Sequence, residues 1–384
     1  MVFSARFALG AAAMDEKTYW LALNRISGIG AVRFRALLDA FGSAAAAWAA
    51  SPSELKAAGL SPAAVERLLE ARSAADLANL PAELEQHGLQ ALTWDEPGYP
   101  RKLRELEQAP PVLYVRGTLQ PEDEWAVAIV GTRQVTAYGR QVAADLAAFL
   151  ARNGLTVVSG LARGVDAVAH QAALEAGGRT LAVMAHGLER VYPPEHRKLA
   201  QEICGRGALL SDYAVGTPPD SANFPPRNRI ISGLSLAVVV VEAGQRSGAL
   251  ITAGFAAEQG REVFAVPGNI HAPQSAGTNF LIQRGAHPLL RFEELLEVLN
   301  LEMMTAHQTA AAALPADPTE ARLYTLLGKE PRHLNELGAQ AGLPIEQVSA
   351  TLALMELKGL VRQVGGMSYV VRESQAAYQT GSLP

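Results

Sequence analysis

Between residues 125 and 266, short runs of aliphatic and β-branched residues alternate with stretches of helical periodicity. No other feature of the chain constrains its fold as tightly. The runs at 125–130, 155–158, 180–184, 208–210, 237–241 and 263–266 are almost wholly apolar, as strands buried on both faces must be. The stretches at 139–152, 164–176, 195–204, 229–234 and 248–259 carry helical patterns of a length suited to crossovers. Such alternation predicts an α/β fold with an extended Rossmann-like, doubly wound parallel sheet. Residues 112–115 are expected as a short edge strand beside it.

Ligands of open α/β sheets collect at the carboxyl ends of the strands. This chain places glycine, small hydroxyls and arginine at those ends. Gly131-Thr132-Arg133 follows the first apolar run, Ser159-Gly160-Leu161-Ala162-Arg163-Gly164 the second, and Ala185-His186-Gly187 the third. Phe224-Pro225-Pro226-Arg227-Asn228-Arg229 forms an irregular approach to a helix, and Ser247-Gly248 opens another. Backbone N–H groups at such turns converge on anions, and a guanidinium grips phosphate through two bonds. Phe224 offers a face on which an unpaired base can stack. Lys198 and Tyr192 are candidates for lining the same groove. A purely structural alternative stands beside this reading. In it Phe224 fills the core, the arginines pair with Asp212 or Asp220, Asp166 caps a helix, Ser247 is a plain N-cap and His170 is buried.

Charge favours the binding alternative. Residues 127–230 hold 11 Arg and Lys against 8 Asp and Glu, residues 15–100 hold 7 against 11, and the whole chain is at −5. Positive charge is therefore concentrated where the glycine turns lie, which suits a polyanion. No cofactor and no metal is expected. The dinucleotide fingerprint G-x-G-x-x-G and the phosphate loop G-x-x-x-x-G-K-[ST] are both missing, and the eight histidines lack a ligand spacing. No catalytic set emerges. Cys204 is the single cysteine, so no intramolecular disulfide can form, and no apolar run reaches the ~20 residues of a spanning helix. A cytoplasmic location without membrane contact is the expectation.

The ordered segments Val127-Ala128-Ile129-Val130-Gly131-Thr132-Arg133, Tyr138-Gly139, the two arginine-bearing turns, Glu242-Ala243, Ser247-Gly248-Ala249-Leu250-Ile251-Thr252-Ala253 and Val266-Pro267-Gly268 resemble the DNA-processing protein A (Smf/DprA) family. That resemblance implies a non-enzymatic mediator that binds and protects incoming single-stranded DNA during natural transformation. It further implies delivery of that DNA to the RecA recombinase. It also implies self-association through residues 277–286, where Phe280, Leu281, Ile282 and Ala286 are the candidate contacts of a homodimer. The helix after Ser247 is implied to lie near the recombinase contact. The chain departs from the family at Ala185-His186, where a glycine and a small polar residue are usual.

The flanks read as smaller domains. Residues 15–96 carry Ser27-Gly28-Ile29-Gly30 between helical patterns, which resembles a helix-hairpin-helix (SAM-like) domain, with a degenerate second copy at 57–65. Its negative charge favours packing or partner contact over phosphate binding. Residues 97–300 are expected as the central domain, 301–318 as a linker, and 1–14 and 373–384 as loose tails. Residues 319–372 hold three helical patterns and a two-stranded wing around Gly365-Gly366, the layout of a winged helix. Its neutral balance points to protein contact or weak duplex DNA binding. Two other function classes are weighed. A nucleotide-cleaving Rossmann enzyme would need the double glycine and spaced Thr and Glu that residues 241–248 lack, and a transcriptional regulator would need a more basic winged helix.

Overall fold

The computed structural model describes residues 14–74, 76–299, 318–327, 331–357, 360–365 and 367–371. The expected tails and linker lie outside these residues, apart from Met14 and Pro318. Two compact units divide at Leu295 and Leu296.

The first unit begins with six helices: α1 (Glu16–Asn24), α2 (Ala31–Phe41), α3 (Ala44–Ala49), α4 (Pro52–Ala57), α5 (Pro62–Ala74) and α6 (Asn79–Gln86). The two expected hairpins are the α1–α2 and α4–α5 connections. Each turns on a glycine in the left-handed region, Gly28 and Gly59.

A nine-stranded sheet follows: β1 (Gln90–Thr93), β2 (Val112–Gly117), β3 (Ala126–Val130), β4 (Thr156–Ser159), β5 (Thr180–Val183), β6 (Ala208–Ser211), β7 (Ala237–Val240), β8 (Glu262–Ala265) and β9 (His287–Pro288). Their order is β1-β2-β6-β5-β4-β3-β7-β8-β9. From β6 to β9 neighbours run parallel, whereas β1 and β2 join antiparallel. The crossovers are α7 (Ala137–Arg152), α8 (Val165–Glu175), α9 (Arg197–Arg206), α10 (Phe224–Gly233) and α11 (Gly248–Glu258), with α12 (Ala276–Gln283) before β9. The sheet is doubly wound, and its order reverses between β3 and β7, where a crevice opens at the carboxyl ends.

Alternation along the strands divides the core. Val112 and Tyr114 of β2 and Ala182 of β5 join Trp20, Phe34 and Leu37 of the helical region on one face. Leu113, Val115, Leu181 and Val183 join Ile230 and Val238 on the other. The N-terminal helices therefore cover one sheet face near β2, beside Ala200 and Ile203 of α9, which accounts for their packing role. Trp20, Phe34 and Trp94 seal this junction with ring centroids 4.7–5.8 Å apart.

Two expectations change. Strand β2 is not an edge: it pairs with β6 on one side and with β1 on the other. The sheet thus starts at Gln90, so a boundary at 96/97 would separate β1 from its partner. Four residues with a single polar–apolar alternation gave β1 little signal. Among the described residues no helix is long and apolar enough to cross a membrane.

The second unit holds α13 (Pro318–Leu326), β10 (Arg332–His333), α14 (Leu334–Ala341), α15 (Ile345–Leu357), β11 (Val361–Gly365) and β12 (Ser368–Val371). It forms a winged helix with sheet order β10-β12-β11, one strand more than the sequence suggested. Leu323, Leu337, Val348, Leu352 and Tyr369 fill its core. The outward residues of α15 include Ile345, Glu346, Leu354 and Glu356 and no Lys or Arg. Duplex phosphates would find no cation among the described residues from Ile345 to Leu357.

Candidate nucleic-acid interface

A cleft of about 770 Å³ occupies the crevice between the ends of β3 and β7. Its lining includes Gly131, Thr132 and Arg133 after β3, Phe224, Arg227 and Asn228 on α10, and Ser247 and Gly248 at the start of α11. Eight of the fifteen expected DNA-binding residues thus meet in one concavity. Tyr192, Gln134, Arg246 and Ile251 complete its rim.

Local geometry explains why these turns converge. Thr132 donates its N–H to the Glu242 carbonyl at 2.7 Å, tying the β3 and β7 ends together. The buried Glu242 carboxylate accepts from the N–H and hydroxyl of Thr136, the N-cap of α7. Gly139 leaves room for that carboxylate. Thr132 also accepts the Val165 N–H at 3.2 Å, which draws the turn after β4 against the turn after β3.

Phe224 is half-buried and open to the cleft, not in the core. Arg133 lies 5.4 Å and Arg227 5.7 Å from its ring centroid, and the exposed Tyr192 ring is 6.1 Å away. Among the described residues neither Arg133 nor Arg246 has a carboxylate partner within 4.0 Å. Two cations without such a partner therefore line the cleft that holds this aromatic platform. Asn228 donates to the Gly248 carbonyl at 3.3 Å, and Ser247 caps α11 by accepting from Ala249.

Other expected contacts sit elsewhere. Ser159 is buried and donates to the Ile129 carbonyl at 2.6 Å. The Gly160 N–H is already given to Asp166, which also accepts from Ala162. Asp166 therefore holds the preceding turn rather than capping its own helix, and it closes the N–H nest that a phosphate would have used. Burial raises its pKa, while Arg227 and the two N–H groups oppose that rise. Gly164 shapes the backbone and does not line the cleft. Exposed Arg163 pairs with Glu195 at 2.5 Å. His186 is buried, donating through Nδ1 to the Gly187 carbonyl at 2.9 Å, and burial lowers its pKa. Lys198 lies in a separate hollow with Arg140 and Glu202. His170 is buried too. Thr180 donates its hydroxyl to Val157, so His170 Nδ1 donates to Thr180, and desolvation pushes the imidazole down to about 3.

The arginine segment departs most from expectation. Helix α10 starts at Phe224, not Arg229, because Pro225 and Pro226 fit its first turn, where no N–H is required. Helical spacing then sends Arg227 inward and turns Arg229 onto Asp212 at 2.8 Å, in a nearly buried pair. For Arg229 the structural alternative, a pair with Asp212, is the one realised. Arg229→Ala strands the Asp212 carboxylate and should lose about 3 kcal/mol, read as a lower urea midpoint. Arg246 was missed, although it stands two residues before a helix start in a segment otherwise judged for what it lacked.

On α12, Phe280 is exposed and Ile282 half-buried, and both line an apolar groove of about 900 Å³ with Leu250, Pro267 and Ile270. Leu281 turns into the core instead, and Ala286 is half-buried outside the groove lining.

Known proteins carry the same architecture. The family model for DNA recombination-mediator protein A matches residues 90–300, the whole sheet and cleft. Models for a DprA-like N-terminal HHH domain and a DprA winged helix domain match 14–78 and 307–367. Protein Smf of Synechocystis sp. is 36% identical over 394 residues, covering 93% of this chain and 99% of that protein. The X-ray structure of DNA processing protein A from Streptococcus pneumoniae superposes with a TM-score of 0.64 at 33% identity, over 73% of this chain and 97% of that one. A Helicobacter pylori structure describing the single-stranded DNA binding mode of its DNA processing protein A gives 0.51 at 31%, over 56% and 96%. With its sheet, its cleft and both flanking domains matched in order, the chain belongs to the DNA recombination-mediator protein A family.

Proposed function

We propose that this protein is a single-stranded DNA-binding recombination mediator that holds unpaired DNA in the β3–β7 cleft and passes it to a RecA-type recombinase. One observation carries the reading: Arg133 and Arg246, with no carboxylate within 4.0 Å among the described residues, line the same concavity as the open Phe224 and Tyr192 rings at the sheet's switch point. Cations there take phosphates and rings take bases, so binding is salt-dependent and tolerant of sequence. The Helicobacter pylori relative's single-strand mode supports the same ligand class. In this reading the cleft binds without cleaving. The apolar groove around Ile270, Phe280 and Ile282 pairs two copies, so that two clefts share one strand.

Fluorescence anisotropy of a labelled oligothymidine against the full chain, across a salt series with duplex competitor, tests the proposal. Tight, salt-sensitive binding that duplex does not displace supports it. Absence of binding at low salt overturns it. Loading is read separately, as faster RecA filament assembly on the same DNA.

The Arg163–Glu195 pair adds a prediction. Both side chains are exposed, and Arg163 follows directly on Ala162 at the cleft. Glu195→Gln releases Arg163 for phosphate and should tighten oligothymidine binding about two- to fivefold at low salt. Unchanged affinity would place Arg163 outside the DNA path.

A further inference from the structure

We propose that Arg227 and Asp166 form a positioning pair that sets Phe224 and the 160–163 turn in base-stacking geometry, without touching DNA themselves; this rests on the single-strand reading of the cleft. The Gly160 peptide is gripped on both sides. Asp166 accepts its N–H at 3.1 Å, and Arg227 Nη1 donates to its carbonyl at 3.0 Å. The same Nη1 donates to the carbonyl of Val183 at the end of β5. One guanidinium thereby joins the ends of two strands to α10.

Gly160 is required for this arrangement, because a Cβ there would overlap the Arg227 guanidinium. Phe224 stands one helical turn before Arg227, its ring centroid 5.7 Å from Cζ, so the ring rests beside the buried cation while another part faces the cleft. Arg227 is 4% and Asp166 7% exposed, and Arg227 Nε is buried without an acceptor. Two buried charges on opposite sides of one peptide are a costly way to pack a helix, and an aliphatic side chain would fill the space at lower cost. What an aliphatic residue cannot do is hold two carbonyls and an aromatic ring in one fixed relation. The pair therefore serves geometry at the platform. Burial holds the Arg227 pKa down to about 10, still well above neutrality, so the grip persists at working pH.

The test is a double-mutant cycle on the full chain with Arg227→Lys, Phe224→Ala and their combination, read by oligothymidine anisotropy across salt. Arg227→Lys keeps the charge and loses the fork. It should weaken binding about tenfold, the size of one base stack, at every salt concentration. The slope of log affinity against log salt should match wild type, and Phe224→Ala should cost little more once Arg227→Lys is present. A slope reduced by about 0.7 would mean that Arg227 neutralises a phosphate, which overturns the proposal. Additive losses would overturn it as well. If Arg227→Lys does not fold, Asp166→Asn takes its place, since it keeps shape and an acceptor while removing the counter-charge. Non-additivity with Phe224→Ala is again required. Absence of wild-type binding would instead remove the single-strand reading, and the positioning role with it.

Discussion

Arg133→Ala and Phe224→Ala should both weaken single-stranded DNA binding strongly, and a salt series should tell them apart. Arg133 is exposed at the end of β3 and has no carboxylate within ion-pair distance among the described residues. If it neutralises one phosphate, its loss removes one set of released counterions. The slope of log affinity against log salt then flattens by about 0.7 for single strands. The deficit should be largest at low salt and shrink as salt rises. Phe224 contributes a π-face and no charge. Its removal should lower affinity by about 1–3 kcal/mol, roughly 5- to 150-fold, with the slope intact. Arg133 also rests over the Phe224 ring at 5.4 Å, so the double variant should lose less than the sum of the two single losses. Anisotropy with one oligothymidine at four or five salt concentrations resolves all three numbers. A slope unchanged in Arg133→Ala would remove it from the phosphate path, and equal slopes with full affinity in Phe224→Ala would leave the cleft without its base platform.

The sequence made the sheet legible because buried parallel strands write themselves as continuous apolar runs, and 237–240 and 126–130 need nothing more. It also located the cleft, since glycine and hydroxyl residues at strand ends are local signals. Direction was not legible. Whether Arg227 faces DNA or the core depends on where α10 begins, and a proline pair that looks like an interruption is instead compatible with a first helical turn. Likewise Ser159 and Gly160 have the right composition for an anion turn. Their donors are consumed by Ile129 and Asp166, partners 30 residues back and 6 residues on, which no motif displays. Arg163 and Arg246 look equivalent in sequence. Only the fold brings Glu195 onto the first and leaves the second open to the cleft. β1 escaped because its evidence is its partner: Ala91 opposite Tyr114 means nothing until β2 is in place.

Gly164→Ala should be among the most destabilising single substitutions in the sheet region, and Gly177→Ala supplies the control. Both glycines sit at nearly the same positive φ, +80° and +82°. An alanine pays a conformational penalty at either position, and at Gly164, where ψ is −128° and outside the left-handed helical well, that penalty is about 1–3 kcal/mol. The surroundings differ. Gly177 follows α8 at the surface with nothing within 4 Å of an added Cβ. At Gly164 the new methyl would overlap the carbonyl oxygen of Thr132 and press on Cα and C of Arg133 at 2.8 Å. These atoms are backbone, so relief requires the turns after β3 and β4 to separate, stretching the 3.2 Å bond from Val165 N–H to Thr132. Overpacking of this kind adds about 1–3 kcal/mol to the conformational term, giving about 3 kcal/mol in all. Urea titration of both variants measures the difference directly. Because the same displacement carries Arg133 away from Phe224, Gly164→Ala should also lose oligothymidine affinity under conditions where it remains folded, whereas Gly177→Ala should bind as wild type. Equal midpoints for the two variants would show that the close approach of the two turns contributes no stability, and equal affinities would show that it does not set the cleft.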